Sequence, residues 1–199
     1  MVGLIAGGGR LPFLVADGAR RAGVTVVCVG LRGSVEPGLA GHVDTFYEVS
    51  VARPGAWIRR LRRHGVSRAI LVGQVAKVQL LASWLIVRHL PDWRAVRIWY
   101  WRIGRKDRQT DTFLRALADE LASGGITLED STMYCKDHMA TEGLLTSRGS
   151  GCQADIEYGW RIAKRVGELD IGQAVAVKDR QVIAVEAIEG TAEMIKRAG

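Results

Sequence analysis

Residues 2–29, VGLIAGGGRLPFLVADGARRAGVTVVCV, decide the fold. Val2–Ala6 is an apolar run closed by Gly7-Gly8-Gly9, the pattern of a parallel strand buried on both faces and of its turn. Leu11, Leu14, Val15, Ala19 and Ala22 then recur at helical spacing. Pro12 falls in the first helical turn, where its missing N–H removes nothing. Val24–Val29 is a second buried strand. Strand, tight turn, helix and strand in that order form the βαβ unit of an open sheet with right-handed crossovers.

The pattern continues outward from this unit. Residues 55–64 predict a basic helix with Trp57, Ile58 and Leu61 inward, and Ala69–Val72 predicts a third strand. Residues 78–103 read as one or two helices broken near Leu90-Pro91, because the residue before proline avoids helical angles. Asp111–Ala122 is a helix with Thr110 placed to cap it, and Ile126–Glu129 is a short strand. The glycine- and serine-rich stretch Thr146–Gly151 marks a loop and a domain join. Beyond it come a helix over 155–166, a hairpin of 174–177 with 182–187, and a helix over 191–197. The expected fold class is α/β: an open parallel-sheet, Rossmann-like N-terminal domain over residues 1–132 and a second domain over 133–199.

Composition narrows the function classes. A chain of 199 residues buries roughly two-thirds or more of its unfolded surface and needs no disulfide or metal staple. Cys28, Cys135 and Cys152 are odd in number and widely spaced, which fits a reducing compartment. The longest nearly unbroken apolar run, Leu80–Val87, falls far short of the ~18 residues of a membrane span. Met1 leads straight into the first strand, so no export signal is expected.

The net charge of +7 is unevenly placed. Residues 53–68 carry six arginines and no acid. Residues 88–108 carry seven basic side chains against Asp92 and Asp107, which leaves the rest of the chain acidic. Such a local basic surface implies an anionic partner, nucleic acid, anionic lipid or a phosphate ligand. The competing reading of the first window is a solvated helix face whose arginine stems cover apolar surface. In the second, Trp84, Trp93, Trp99 and Trp101 interleave with arginines, a combination that suits a membrane–water interface, single-stranded nucleic acid, or plain packing under a helix.

Gly7-Gly8-Gly9 between a strand and a helix is a phosphate-binding shape, with backbone N–H groups and the helix dipole aimed outward. It departs from the dinucleotide fingerprint, because Pro12 stands where the last glycine would be. Arg32 after the second strand leaves an NADP-type reading open. Cys135 and His138 have a metal-ligand spacing without a second pair, which argues against zinc. Asp111, Asp170, Glu186 and Glu189 sit beside turns and are the acids best placed for function.

Four strings in order go beyond generic α/β: GLIAGGGRLP at 3–12, VGQVAK at 72–77, TDTFLRALADELASGGITL at 110–128 and ELDIGQAVAVKDRQVIAVEAIEGTAEM at 168–194. Together they resemble the LpxI-type UDP-2,3-diacylglucosamine pyrophosphatases, with LDIGQ and AVEAxEGT the most specific. The resemblance implies two α/β domains and hydrolysis of an acylated UDP-sugar to UMP and lipid X, 2,3-diacylglucosamine 1-phosphate, in lipid A synthesis. It implies Mg²⁺ or Mn²⁺ as cofactor and a cytoplasmic protein peripheral on the inner face of the inner membrane. The partners it implies are the acylated UDP-sugar and membrane lipid; a homodimer is compatible with it and nucleic acid is not expected. The readings that compete with it are a non-catalytic basic module for lipid or nucleic acid and an NADP-linked oxidoreductase.

Carried onto this sequence, the expected substrate-binding residues are Gly8, Gly9, Arg10, Leu11, Gln74, Val75, Asp111, Gln173, Glu189, Gly190 and Thr191. Trp93, Trp99, Trp101, Arg97 and Arg102 are expected at the membrane surface. Ala192 stands where the family usually has an acid. The family's aspartate-rich stretch, to which metal-dependent catalysis is attributed, would lie past Gly199. The second domain is therefore expected to be incomplete, and the chain to bind its ligand but hydrolyse it slowly.

Overall fold

The computed structural model describes residues 1–75, 91–98, 110–143 and 152–199. They fall into two compact units, Met1–Met139 and Ala140–Gly199. The expected join at 132/133 thus shifts to 139/140, because Tyr134 and Cys135 pack on the first unit and the backbone of Tyr134 leaves no room for a Cβ at Gly18. The loop and join expected at Thr146–Gly151 lie outside the described residues, as do the helices expected over 78–90 and 99–103.

The first unit is built on a five-stranded, all-parallel sheet. β1 (Val2–Ala6) pairs with β2 (Val26–Leu31) and β4 (Arg68–Val72), β2 with β3 (Thr45–Val49), and β4 with β5 (Thr127–Leu128). The spatial order is β3-β2-β1-β4-β5. Every residue of β1 and β2 is buried, as their unbroken apolar runs require of strands covered on both faces. On one face Leu4, Ala6, Cys28 and Ile70 meet Val15, Ala16 and Ala19 of α1 (Leu11–Arg21). On the other, Ile5, Val27, Val29 and Ala69 meet Trp57, Ile58 and Leu61 of α2 (Pro54–Arg63). Leu117 and Leu121 of α4 (Thr110–Ser123) join that second face.

Two elements depart from the sequence reading. The second strand starts at Val26 because Val24 still closes the helix, its N–H donating to the Ala19 carbonyl at 2.9 Å. The edge strand β3 is absent from the reading, since its TFYEV pattern is half-buried and carries Glu48 on its exposed side.

A buried carboxylate ties α4 to the short helix α3 (Trp93–Arg97). Glu120 is inaccessible to solvent, and its oxygens accept from Arg94 Nη1 at 2.5 Å and from Arg97 Nη2 at 2.6 Å. Asp92 caps α3 through the Ala95 N–H and also accepts from the Gly55 N–H at 2.7 Å, which fastens α3 to α2. Burial pushes the Glu120 carboxyl upward, but the hydrogen bonds and charges of Arg97 and Arg94 outweigh it, and its pKa lies below the usual carboxylate range.

The second unit holds α5 (Gln153–Glu168), the hairpin β6 (Val175–Lys178) and β7 (Gln181–Val185), and α6 (Thr191–Ala198). Asp179 and Arg180 form the two-residue turn with φ of 52° and 58°, the left-handed pair that matches strand twist. Neither is glycine, and Asp155 of α5 compensates: its carboxylate accepts the Asp179 and Arg180 N–H groups at 3.0 and 2.6 Å.

Glu120→Gln keeps the shape of the clamp but removes its charge, and is expected to lower unfolding free energy by about 2 kcal/mol at neutral pH. A carboxyl with a depressed folded pKa stabilises fully above its unfolded value and loses that contribution as pH falls through the folded value. The gap between wild type and variant in urea unfolding should therefore close as pH is lowered through the acidic range, and a gap independent of pH would refute the ion-pair account.

Candidate functional site

In the sheet order the chain moves from β1 outward to β2 and β3, then returns to β4 on the other side of β1. The loops leaving the carboxyl ends of β1 and β4 therefore diverge at a topological switch point, where open α/β sheets hold their ligands. The Gly7-Gly8-Gly9 and Gly73-Gln74 turns meet there. Gly7 N–H donates to the Val72 carbonyl at 2.8 Å, Gly8 N–H to the Gln74 carbonyl at 2.8 Å, and Gln74 N–H back to the Gly8 carbonyl at 2.9 Å.

This contact revises the expected anion cradle. The N–H groups of Gly7 and Gly8 are engaged by the β4 loop and cannot also face a ligand. Those of Gly9, Arg10 and Leu11 have no acceptor among the described residues, and all three residues are exposed. Arg10 stands at the N-cap of α1 in helical geometry with no side chain capping the helix, and its first turn contains no acid. The positive end of the helix dipole is thus left without a compensating cap or acid, and Arg10 stands at that end. Space is tight behind this edge and open in front: a Cβ on Gly8 would lie 2.7 Å from the Ser34 carbonyl oxygen, whereas one on Gly9 would meet nothing within 4 Å.

The structure brings Gly8, Gly9, Arg10, Leu11 and Gln74 to this one edge, with Val75 following. Asp111 lies in the first turn of α4. In the second unit the two most specific strings also meet, through a residue not included among the expected binding residues. Glu186 accepts from Gln173 N–H at 3.2 Å and from the Thr191 hydroxyl at 2.9 Å. Gly172 packs against the Glu186 backbone too closely to carry a side chain. Glu189 pairs with Arg197 at 2.7 Å, and its own backbone N–H together with Arg197 holds its carboxyl below the usual range. Gly190, at φ 87°, starts α6. Glu186 was legible only as an acid near a turn; its partners lie in strings separated by the whole hairpin.

The residues expected at a membrane surface divide. Trp93 is 72% exposed on α3, but Arg97 is clamped on Glu120 and is not presented as a free cation. Trp99, Trp101 and Arg102 lie outside the described residues. Burial pushes the Cys28 thiol up to about 12 and raises that of Cys135, so neither is a nucleophile at neutral pH. Among the described residues no three His, Cys, Asp or Glu side chains gather closely enough to hold a divalent cation. They do not by themselves fit Mg²⁺ or Mn²⁺.

The loop contact makes a direct test. Gly73 has φ 95° and a Cβ there would lie 2.7 Å from the Gly7 carbonyl carbon, so Gly73→Ala should cost about 2 kcal/mol or more. Gly9→Ala, strained in φ but unobstructed, should cost about 1 kcal/mol. Equal losses in denaturant unfolding would show that the two loops do not press together.

Comparison with known proteins accounts for both halves of this arrangement. The family models of the LpxI N-terminal domain and the LpxI C-terminal domain match residues 1–138 and 141–199. Over 198 residues, 98% of its length, the chain is 30% identical to the UDP-2,3-diacylglucosamine pyrophosphatase LpxI of Caulobacter vibrioides, of which the match spans 68%. The glycine turn with its β4 partner falls within the first matched domain and the Gln173–Glu186–Thr191 network within the second, and the chain that carries both is a member of the LpxI family.

Proposed function

We propose that the chain is a UDP-2,3-diacylglucosamine pyrophosphatase that binds its diphosphate at the β1–β4 loop edge. The observation that carries this reading is the uncapped start of α1, where three amides and Arg10 face outward at the switch point. A diphosphate needs this combination: aligned N–H donors take the non-bridging oxygens, and a guanidinium neutralises charge that the helix dipole alone cannot. Water then attacks the α-phosphorus, the bond between that phosphorus and the bridging oxygen breaks, and the leaving oxygen stays with the acylated sugar 1-phosphate. The donors at Gly9–Leu11 stabilise charge as it builds on the phosphoryl oxygens. The Gln173–Glu186–Thr191 network is proposed as a second ligand-contacting turn. Peripheral association with the inner face of the inner membrane belongs to the same proposal, supported by the exposed Trp93 ring.

Mg²⁺ or Mn²⁺ remains part of the proposal through the family alone. Binding and turnover are best measured apart, because the described acids form no cluster. Titration of the full chain with UDP-2,3-diacylglucosamine, alongside UMP release with and without added Mg²⁺ or Mn²⁺, tests both. Arg10→Ala should weaken ligand binding about tenfold, the equivalent of one charge-assisted hydrogen bond, while leaving thermal stability unchanged. Undiminished binding in that variant would remove the loop edge from the site, and absence of both binding and UMP release in wild type would refute the function.

A further inference from the structure

A second basic feature lies on the first unit, at the carboxyl ends of β2 and β3 and along the outward face of α2. The inward face of α2 is Trp57, Ile58 and Leu61, so Arg59, Arg60 and Arg63 are turned together to the outside. Arg53 at the helix start and Arg32 after β2 complete the walls of a cleft of about 390 Å³. Among the described residues Glu48 is the single acid lining it, and it pairs with Arg32 at 3.3 Å. Arg59, Arg60 and Arg63 have no acidic partner among the described residues.

Like charges at these helical spacings repel. α2 contains no acid to offset them. Part of the set is also held in place. The Arg60 guanidinium stacks over the Tyr47 ring at 4.8 Å, and the Tyr47 hydroxyl is fixed on His64 Nε2 at 2.8 Å. The floor consists of small side chains, Val49, Ser50 and Ala56, which leave room for an anion but offer no flat face to a nucleobase. The cleft shares no residue with the glycine turn.

We infer that this arginine cleft is a separate binding site for a phosphate-bearing anion with at least two negative charges. Guanidinium forks donate bidentately to such oxygens, and several forks converging on one concavity select a compact polyanion over a single carboxylate. The same chemistry is offered by a soluble pyrophosphate-type ligand and by the phosphate headgroups of an anionic bilayer. The inference stands independently of the function proposed for the β1–β4 edge.

Calorimetric titration of the full chain with inorganic pyrophosphate, and co-sedimentation with phosphatidate vesicles, whose headgroup is a phosphate monoester, distinguish the two sources. Arg59→Ala combined with Arg63→Ala is compared with a charge-matched control, Arg161→Ala combined with Arg165→Ala in the second unit. All four side chains are exposed, so unchanged melting curves are expected in both variants. The cleft variant should lose about tenfold or more in affinity for pyrophosphate, for vesicles, or for both, and the control should not. Loss confined to pyrophosphate identifies a soluble ligand, and loss on vesicles identifies a headgroup. Should the alanine variant fold poorly, Arg59→Lys with Arg63→Lys keeps the charge and removes the forks, and a smaller drop is then expected. Binding of neither probe, or equal loss in cleft and control variants, would overturn the inference.

Discussion

Two turns pressed backbone to backbone shape the β1–β4 edge of the first unit. Gly7 and Gly8 exchange hydrogen bonds with Val72 and Gln74, and no Cβ fits at Gly7, Gly8 or Gly73 without meeting main-chain atoms. That contact joins the ends of β1 and β4 at the point where the strand order reverses. It engages the first two amides of the glycine run, and so leaves those at the start of α1 as the ones without a backbone acceptor among the described residues. The exposed turn and the buried sheet are thus parts of one arrangement. β1 must be central and fully buried for its end to lie beside β4, and its unbroken apolar run ensures this.

Charge is organised by the same rule, that a side chain's role depends on what stands opposite it. The two arginine-rich windows look alike in composition but diverge in the fold. Arg94 and Arg97 turn inward to a carboxylate that would be untenable without them, and they fasten α3 to α4. Arg59, Arg60 and Arg63 turn outward, and the one acid lining their cleft among the described residues, Glu48, is already paired with Arg32. The first set is structural and the second is available to a ligand.

Much of the fold was legible in the sequence because burial on both faces leaves a direct trace. β1, α1, β4, α4 and the hairpin follow from apolar runs, 3.6-residue spacing and turn residues. β3 was not legible, because an edge strand needs only one covered side and carries Thr45 and Glu48 without penalty. At the site, the position of the glycine turn was readable but the availability of its amides was not, since the acceptors at Val72 and Gln74 are supplied by a different loop. Glu186 was legible as an acid beside a turn but its partners were not, because the hairpin has to fold before Gln173 and Thr191 meet its carboxylate. Arg97 was read as a surface cation because its partner Glu120 lies on another helix.

The central claim is that the β4 loop leaves Gly9, Arg10 and Leu11, and not Gly7 or Gly8, to receive the diphosphate. Residue-resolved amide hydrogen exchange on the isotope-labelled full chain, with and without UDP-2,3-diacylglucosamine, tests it most directly. The account predicts that Gly7 and Gly8 are protected in the free protein, while Gly9, Arg10 and Leu11 exchange rapidly and become protected only when ligand is added. Rapid exchange at Gly7 and Gly8 in the free protein, or unaltered exchange at Gly9–Leu11 under saturating ligand, would contradict it.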